Sequence, residues 1–200
     1  MHRLVVILVL APLAAFGQVI CALSSSVPAY DSTKDERPSQ DTLELAGQVN
    51  AALAPRCRPN CPQIAVFRNP TAANVMMIAV SDTAKLVYAP KFFTTVYNTW
   101  GDGAIVALLA HAMGHAIDAN APAAWMKGIA SPELRADAWA GCALAGNPLT
   151  SKSLGEALTA LMRFPSKAHP AWAQRAPALR LGYTQCGGDG AQFDRATSRQ

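Results

Sequence analysis

Two histidines four residues apart, inside a proline-free run rich in Ala, Leu and Ile, constrain this chain more than any other feature. The run starts at Ala104 and reads Leu108-Leu109-Ala110-His111-Ala112-Met113-Gly114-His115-Ala116-Ile117-Asp118, long enough for a buried helix. On a helix, positions four apart lie on one face, so His111 and His115 project side by side. Two imidazoles placed this way reach one zinc ion, at about 2.0–2.1 Å from each nitrogen. The competing reading is a pair of hydrogen-bonded core histidines on an alanine-rich helix, and the pair alone does not separate the two.

A third ligand decides between them, and a zinc site of this kind takes it from a later element. Ser131-Pro132-Glu133 is a compact helix start, with Ser as the cap, Pro in the first turn and an acid near the positive end of the dipole. Glu133 is the candidate ligand. Asp137 follows on the same face, and either it or Asp118 is placed to hold a histidine N–H in the second shell of the metal. Singly, each acid is explained as a helix-end charge or an exposed side chain; together with His111 and His115 they describe a zinc site. The signature for catalysis is H-E-x-x-H, whose Glu takes the proton of the attacking water. Here that position is Ala112.

The 200 residues, 51% of them hydrophobic, suit one globular domain with a sizeable core. A formal charge of +4 without a concentrated Lys/Arg element argues against nucleic acid as the partner. Met1-His2-Arg3 followed by an apolar run to Phe16 has the form of a secretory signal, with candidate cleavage sites at Ala15-Phe16-Gly17 and Ala22-Leu23-Ser24. An uncleaved anchor is the alternative, but Pro12 interrupts the run and it falls short of a span, so no stable membrane span is expected after the signal is removed. A lipoprotein reading of Cys21 is weakened by the bulky Ile20. Export, to a periplasmic or extracellular compartment, makes disulfides the expected state of the cysteines. Cys57 and Cys61 flank a short loop suited to a bridge, and Cys142 with Cys186 is a candidate pair across a long one. Zinc ligation by Cys57 and Cys61 is the other option, without a second cysteine pair to complete it.

Along the chain, 1–23 is read as the signal and the Ser-, Pro- and Asp-rich 24–40 as a flexible linker. A domain spans 41–186 and a loose tail 187–200. Asp41 is the expected cap of a helix over Thr42 to Leu53, with Leu45, Val49 and Leu53 on one stripe, ended by Pro55 and the two-cysteine loop. Gln63–Phe67 is a strand, and Asn74–Val80 with Lys85–Tyr88 form an antiparallel hairpin. A helix over Lys91–Thr99 buries Phe92, Phe93, Val96 and Trp100. Gly101-Asp102-Gly103 then makes a turn, with Asp102 capping the histidine helix. Residues 121–130 form a loop whose Trp125 and Met126 line a cleft or close the core. Helices are expected from Ser131 to Leu144, from Ser153 to Arg163, and after Pro170 through Leu181. The fold class that follows is α+β, with a small antiparallel sheet packed on the histidine helix and further helices after it.

With these motifs in view, the sequence resembles gluzincin-type zinc metallopeptidases of the CAAX-prenyl-protease-like group. Leu108-Leu-Ala-His-Ala-Met-Gly-His-Ala-Ile-Asp118 is similar to their active-site helix, Glu133-Leu-Arg-Ala-Asp137 to their E-x-x-A-D helix, and His169-Pro-Ala-Trp-Ala-Gln-Arg175 to their late H-P-x-x-x-x-R element. Tyr88-Ala-Pro-Lys-Phe resembles the stretch after their edge strand. The likeness covers roughly Ile64 to Leu181. It implies a zincin-like fold, a zinc site of His111, His115 and Glu133, and Asp137 in the second shell. It also implies Arg175 as a supporting charge and His169 as an occasional ligand.

Two departures qualify what the resemblance implies. The span between His115 and Glu133 is short, as in a minimal form, and Ala112 removes a contribution of about 10²–10⁴ in rate. Asp118, three residues beyond His115, is better suited to orienting a histidine than to replacing the base. One expectation is therefore a secreted zinc metallopeptidase-family domain, inactive or strongly impaired in peptide hydrolysis. The other is a non-catalytic zinc-binding pseudopeptidase that holds a peptide or protein partner.

Overall fold

In the computed structural model, residues 18–22, 30–80, 83–147, 151–164 and 169–198 are described. Most of the expected signal, including both its candidate cleavage sites in whole or part, lies outside them. The described chain is mixed α+β and mostly helical, in the order β1 (Gln18–Ala22), α1 (Gln40–Cys57), β2 (Gln63–Arg68), β3 (Val75–Val80), β4 (Thr83–Tyr88), α2 (Pro90–Asn120), α3 (Pro132–Gly146), α4 (Ser151–Arg163), α5 (Trp172–Gln185) and α6 (Gly190–Thr197).

The hairpin forms as its β-rich runs require, with β3 and β4 antiparallel and Met77 opposite Leu86. The sheet as a whole is mixed rather than antiparallel. β2 pairs parallel to β4, with Val66 opposite Leu86, and β1 adds antiparallel to β3. In the order β1-β3-β4-β2, the chain leaving β2 passes β4's place before entering β3, and the hairpin then folds β4 back between them. Local pairing signals specify the hairpin and are silent on where the preceding strand docks.

The near-continuous apolar run of β3 is explained by burial on both faces. Val75 and Met77 join the main core, while Met76 and Ile78 form a second cluster with Val87, against which Tyr30 and Phe92 pack. Tyr30 belongs to the expected linker, so that expectation is corrected for its second half. Glu36 bridges Arg68 through paired backbone hydrogen bonds of 2.9 and 3.1 Å, and Asn69 Nδ2 donates to Asp35 at 2.8 Å. The segment from Tyr30 onward is bound to the sheet by these contacts despite its polar composition.

Ser39, not Asp41, caps α1, accepting from Thr42 N at 3.3 Å. Pro55 does not end that helix, which continues to Cys57. Within the last turn a proline forfeits a single main-chain bond, a loss the turn tolerates. The Cys57–Cys61 disulfide follows at once, and the Cys142–Cys186 disulfide joins α3 to the end of α5.

The expected break near residue 101 is a kink rather than a turn. α2 runs on through Gly101, whose φ of 73° lies where side chains are strained and glycine is not. Beyond the kink every residue from Gly103 to Asp118 is buried, the condition of a helix apolar on all sides. The sheet, α1, α3 and α4 all pack against it. Before the kink, Phe93 and Val96 are buried as expected, while Phe92 and Trp100 meet Phe164 edge-on at 5.0 and 5.4 Å.

α3 and α5 cross closely because Gly182 presents no side chain: a Cβ there would lie 1.7 Å from the Ala138 carbonyl oxygen. The tail expected to be loose instead forms α6. Phe193 is buried against Tyr183 at 5.5 Å between ring centres, and Arg180 holds Asp194 with bonds of 2.7 and 2.9 Å. A single aromatic at helical spacing from Ala196 was enough to dock an otherwise polar segment.

Candidate metal centre

α3 and the segment before α5 meet the middle of α2. His111 and His115 stand one turn apart on α2, with ring centres 5.0 Å apart and planes nearly perpendicular. Gly114 lets α3 approach that turn, since a Cβ there would come within 2.9 Å of the Ala136 carbonyl oxygen. Ser131 caps α3 and Pro132 opens it, as the sequence predicts, which puts Glu133 in the first turn facing the two rings. His169, just ahead of α5, brings a third ring to 4.9 Å from that of His111.

The side chains of His111, His115 and Glu133 converge, and His169 lies against Glu133. Glu133 Oε2 lies 3.3 Å from His111 Nε2, 3.4 Å from His115 Nε2 and 2.8 Å from His169 Nε2. The donor atoms of His111, His115 and Glu133 are all within 4.8 Å of one another. A tetrahedron with metal–ligand bonds of about 2.0–2.1 Å has edges of about 3.3–3.4 Å, and the distances from Glu133 to His111 and His115 agree with that, so the three residues can hold a metal ion. Glu133 Oε2 is buried and accepts no hydrogen bond of normal geometry, although three imidazole nitrogens lie so near it. A buried carboxylate oxygen in that condition is what a cation held between Glu133, His111 and His115 resolves. On donor type, number and spacing, the residues fit a metal ion.

The two acids beside the histidines are both held ionised. Burial raises the Glu133 carboxyl, but the imidazoles of His111, His115 and His169 outweigh it and hold the group well below the usual carboxylate range. Burial likewise pushes Asp137 up, and Arg175 and His111 overcome it and keep it ionised. Because Asp137 is a carboxylate, it accepts: His111 Nδ1 donates to Oδ1 at 2.9 Å, which fixes the tautomer and turns Nε2 toward Glu133. Arg175 donates from Nε and Nη2 to the two oxygens of Asp137, both at 2.8 Å, and from Nη1 to the Leu161 carbonyl at 2.7 Å. Arg175 therefore stands behind the site, holding the group that holds His111.

One sequence expectation changes here. His169, expected in the second shell or as an occasional ligand, lies 2.8 Å from Glu133, a hydrogen-bonding distance, beside the group formed by His111, His115 and Glu133. Asp118, expected to orient a histidine, is taken by Arg135, whose Nε donates to its Oδ2 at 2.7 Å. Arg135 was missed by sequence reasoning, though a signal existed. A cation in the first turns of a helix opposes the dipole, which implies a specific acid nearby. Trp125 meets Trp139 edge-on at 5.7 Å and Met126 is buried, so the loop between α2 and α3 closes core rather than lining a cleft. Ala112 is fully buried.

A cavity of about 680 Å³ opens elsewhere, between α1 and the outer strand β2, where Ile64 and Val66 face Ala46 over Met113 of the histidine helix. Among the described residues, no helix is long and apolar enough to cross a membrane. Comparison with family models, with curated proteins and with solved structures found no match.

Proposed function

We propose that this chain is an exported, zincin-like zinc-binding domain of the gluzincin metallopeptidase type that has lost peptide hydrolysis and acts by holding a peptide or protein partner. One observation carries the reading: the imidazoles of His111, His115 and His169 gather around the single carboxylate oxygen of Glu133 at 2.8–3.4 Å. His111, His115 and Glu133 would hold the metal, and we assign His169, which contacts Glu133, as the fourth ligand. Zinc with four protein ligands is of the closed, structural kind, whereas catalytic zinc keeps a position open.

When bound, zinc supplies Lewis acidity for polarising a carbonyl and acidifying water. The chain provides no carboxylate at position 112 to accept a proton, and the methyl of Ala112 is enclosed by core. Asp137 is saturated by Arg175 and His111, and Asp118 by Arg135 on one oxygen, so neither replaces the missing base. Two disulfides fit an oxidising compartment, in keeping with export. The partner site we assign is the groove along β2, where an extended peptide adds to an outer strand through main-chain bonds.

The test is zinc content and hydrolysis measured together. The purified protein should retain about one zinc after dialysis, and His115→Ala or Glu133→Ala should lose it. No hydrolysis of casein or of a peptide library is expected. Ala112→Glu alone should remain nearly inactive, and Ala112→Glu with His169→Ala should gain activity, because a base and an open position are both required. Hydrolysis by the unsubstituted protein would overturn the loss of catalysis, and metal-free protein at saturating zinc would overturn the whole reading.

A further inference from the structure

Arg135 joins two segments that each carry a ligand of the proposed site, without being a ligand itself. Its guanidinium runs back along α3, donating from Nε to Asp118 Oδ2 at 2.7 Å and from Nη1 to the carbonyls of Ile129 and Ala130 at 3.0 and 2.8 Å. Asp118 follows His115 by three residues on α2, and Glu133 precedes Arg135 by two on α3. One side chain thus fixes the end of the histidine helix, the loop that leaves it, and the turn that presents Glu133.

That turn needs an anchor. The Ser131 cap reaches Leu134 N at only 3.5 Å, a long bond, and first turns fray when poorly capped. Glu133 is a long side chain whose carboxylate must meet rings on another helix to within a few tenths of an ångström. Asp118 depends on Arg135 in return: it is buried, and its Oδ1 has no hydrogen-bond partner. The planar fork of arginine makes these attachments at once, which the point charge of lysine cannot reproduce.

We infer that Arg135 and Asp118 are positioning residues, a clamp that sets Glu133 against His111 and His115 before a metal arrives. The inference rests on the zinc reading above and adds to it the pair that preorganises the carboxylate ligand.

Cobalt(II) titration into the metal-free protein tests it. Arg135→Gln and Asp118→Asn should each weaken cobalt binding about tenfold and change the intensity of its visible bands, as the carboxylate ligand becomes less fixed. Arg135→Lys should recover part of the affinity. Asp35→Asn, remote from the site, should lower the melting temperature and leave affinity unchanged, which separates positioning from loss of stability. Full affinity and an unaltered spectrum in both Arg135→Gln and Asp118→Asn overturn the clamp. If Arg135→Gln does not fold, Arg135→Lys and Asp118→Asn carry the same comparison.

A second measurement works without metal. The imidazole ¹⁵N shifts of His111, His115 and His169 report the carboxylate beside them, and both variants should move them; unchanged shifts overturn the clamp. Failure of the unsubstituted protein to take up cobalt would sink the zinc reading, and the imidazole shifts would then still decide the clamp.

Discussion

Two carboxylate–cation pairs tie together segments far apart in this chain, and they differ in what surrounds them. Asp137 and Arg175 meet beneath the histidines with side chains 0% and 2% exposed, both oxygens of the acid being occupied by Arg175 and His111. Asp35 and Lys85 meet on the far face of the sheet, 8% and 21% exposed, with Tyr30 and Asn69 completing the shell. The first pair connects α3 and α5 to a ring of the proposed metal site. The second fastens the segment before α1 to β4 and touches nothing that carries chemistry. The lesson is one of solvent. A pair sealed from water makes each partner indispensable to the other, whereas a pair near water can be lost at little cost.

The largest effect should come from breaking the sealed pair on one side. Arg175→Met leaves Asp137 as an uncompensated buried charge and should lower the unfolding free energy by about 3–5 kcal/mol in urea denaturation. A loss under about 1 kcal/mol would mean that water reaches Asp137 and that the contrast is false.

Asp137→Asn sharpens the comparison by keeping shape and removing charge. It ceases to select the His111 tautomer, and zinc affinity measured against a competing chelator should fall about 10–100-fold. The matching change Asp35→Asn should leave that affinity as it was.

Asp35→Ala should cost about 1 kcal/mol, near the value of a partly exposed pair with its hydrogen bonds. Part of that contribution should fade in about 1 M salt, where screening lengths shrink to about 3 Å. Equal salt sensitivity in Arg175→Met would erase the distinction between the two sites.

The smallest effect is a pH dependence. Burial pulls the Lys85 ammonium down, but Asp35 and Tyr30 outweigh it and leave the group above its ordinary 10.5. A raised folded value stabilises fully below the unfolded one and is lost as pH rises through the folded one. Metal-free protein should therefore lose melting temperature at strongly alkaline pH, above about 10.5, more steeply than Lys85→Met does. Identical alkaline slopes in the two proteins would show that Lys85 contributes nothing there.

The residues of the proposed site were unequally legible. His111, His115 and Glu133 stood out because helical spacing and a Ser-Pro-Glu start are local patterns with fixed geometry. His169 showed only through a family likeness, since nothing near it in sequence says which ring it will face. Arg135 and Asp118 are separated by the whole loop between α2 and α3, and their pairing displaced the histidine-orienting role expected for Asp118. Asp137 and Arg175 meet across two helices whose close approach Gly182 permits, a contact no local pattern encodes.

By itself the sequence determined what one or two turns of chain decide: the helix through His111 and His115, the cap at Ser131, the β3–β4 hairpin, and the Cys57–Cys61 pair, four residues apart. These depend on interactions among neighbours, whose energies follow from residue type and spacing. Tertiary structure alone decided that β2 lies parallel beside β4, that Tyr30 and Asp35 bind the sheet, that α6 docks through Phe193, and that His169 reaches Glu133. Those choices turn on burying apolar surface and compensating charge between distant segments, and such energies exist only once the segments have met.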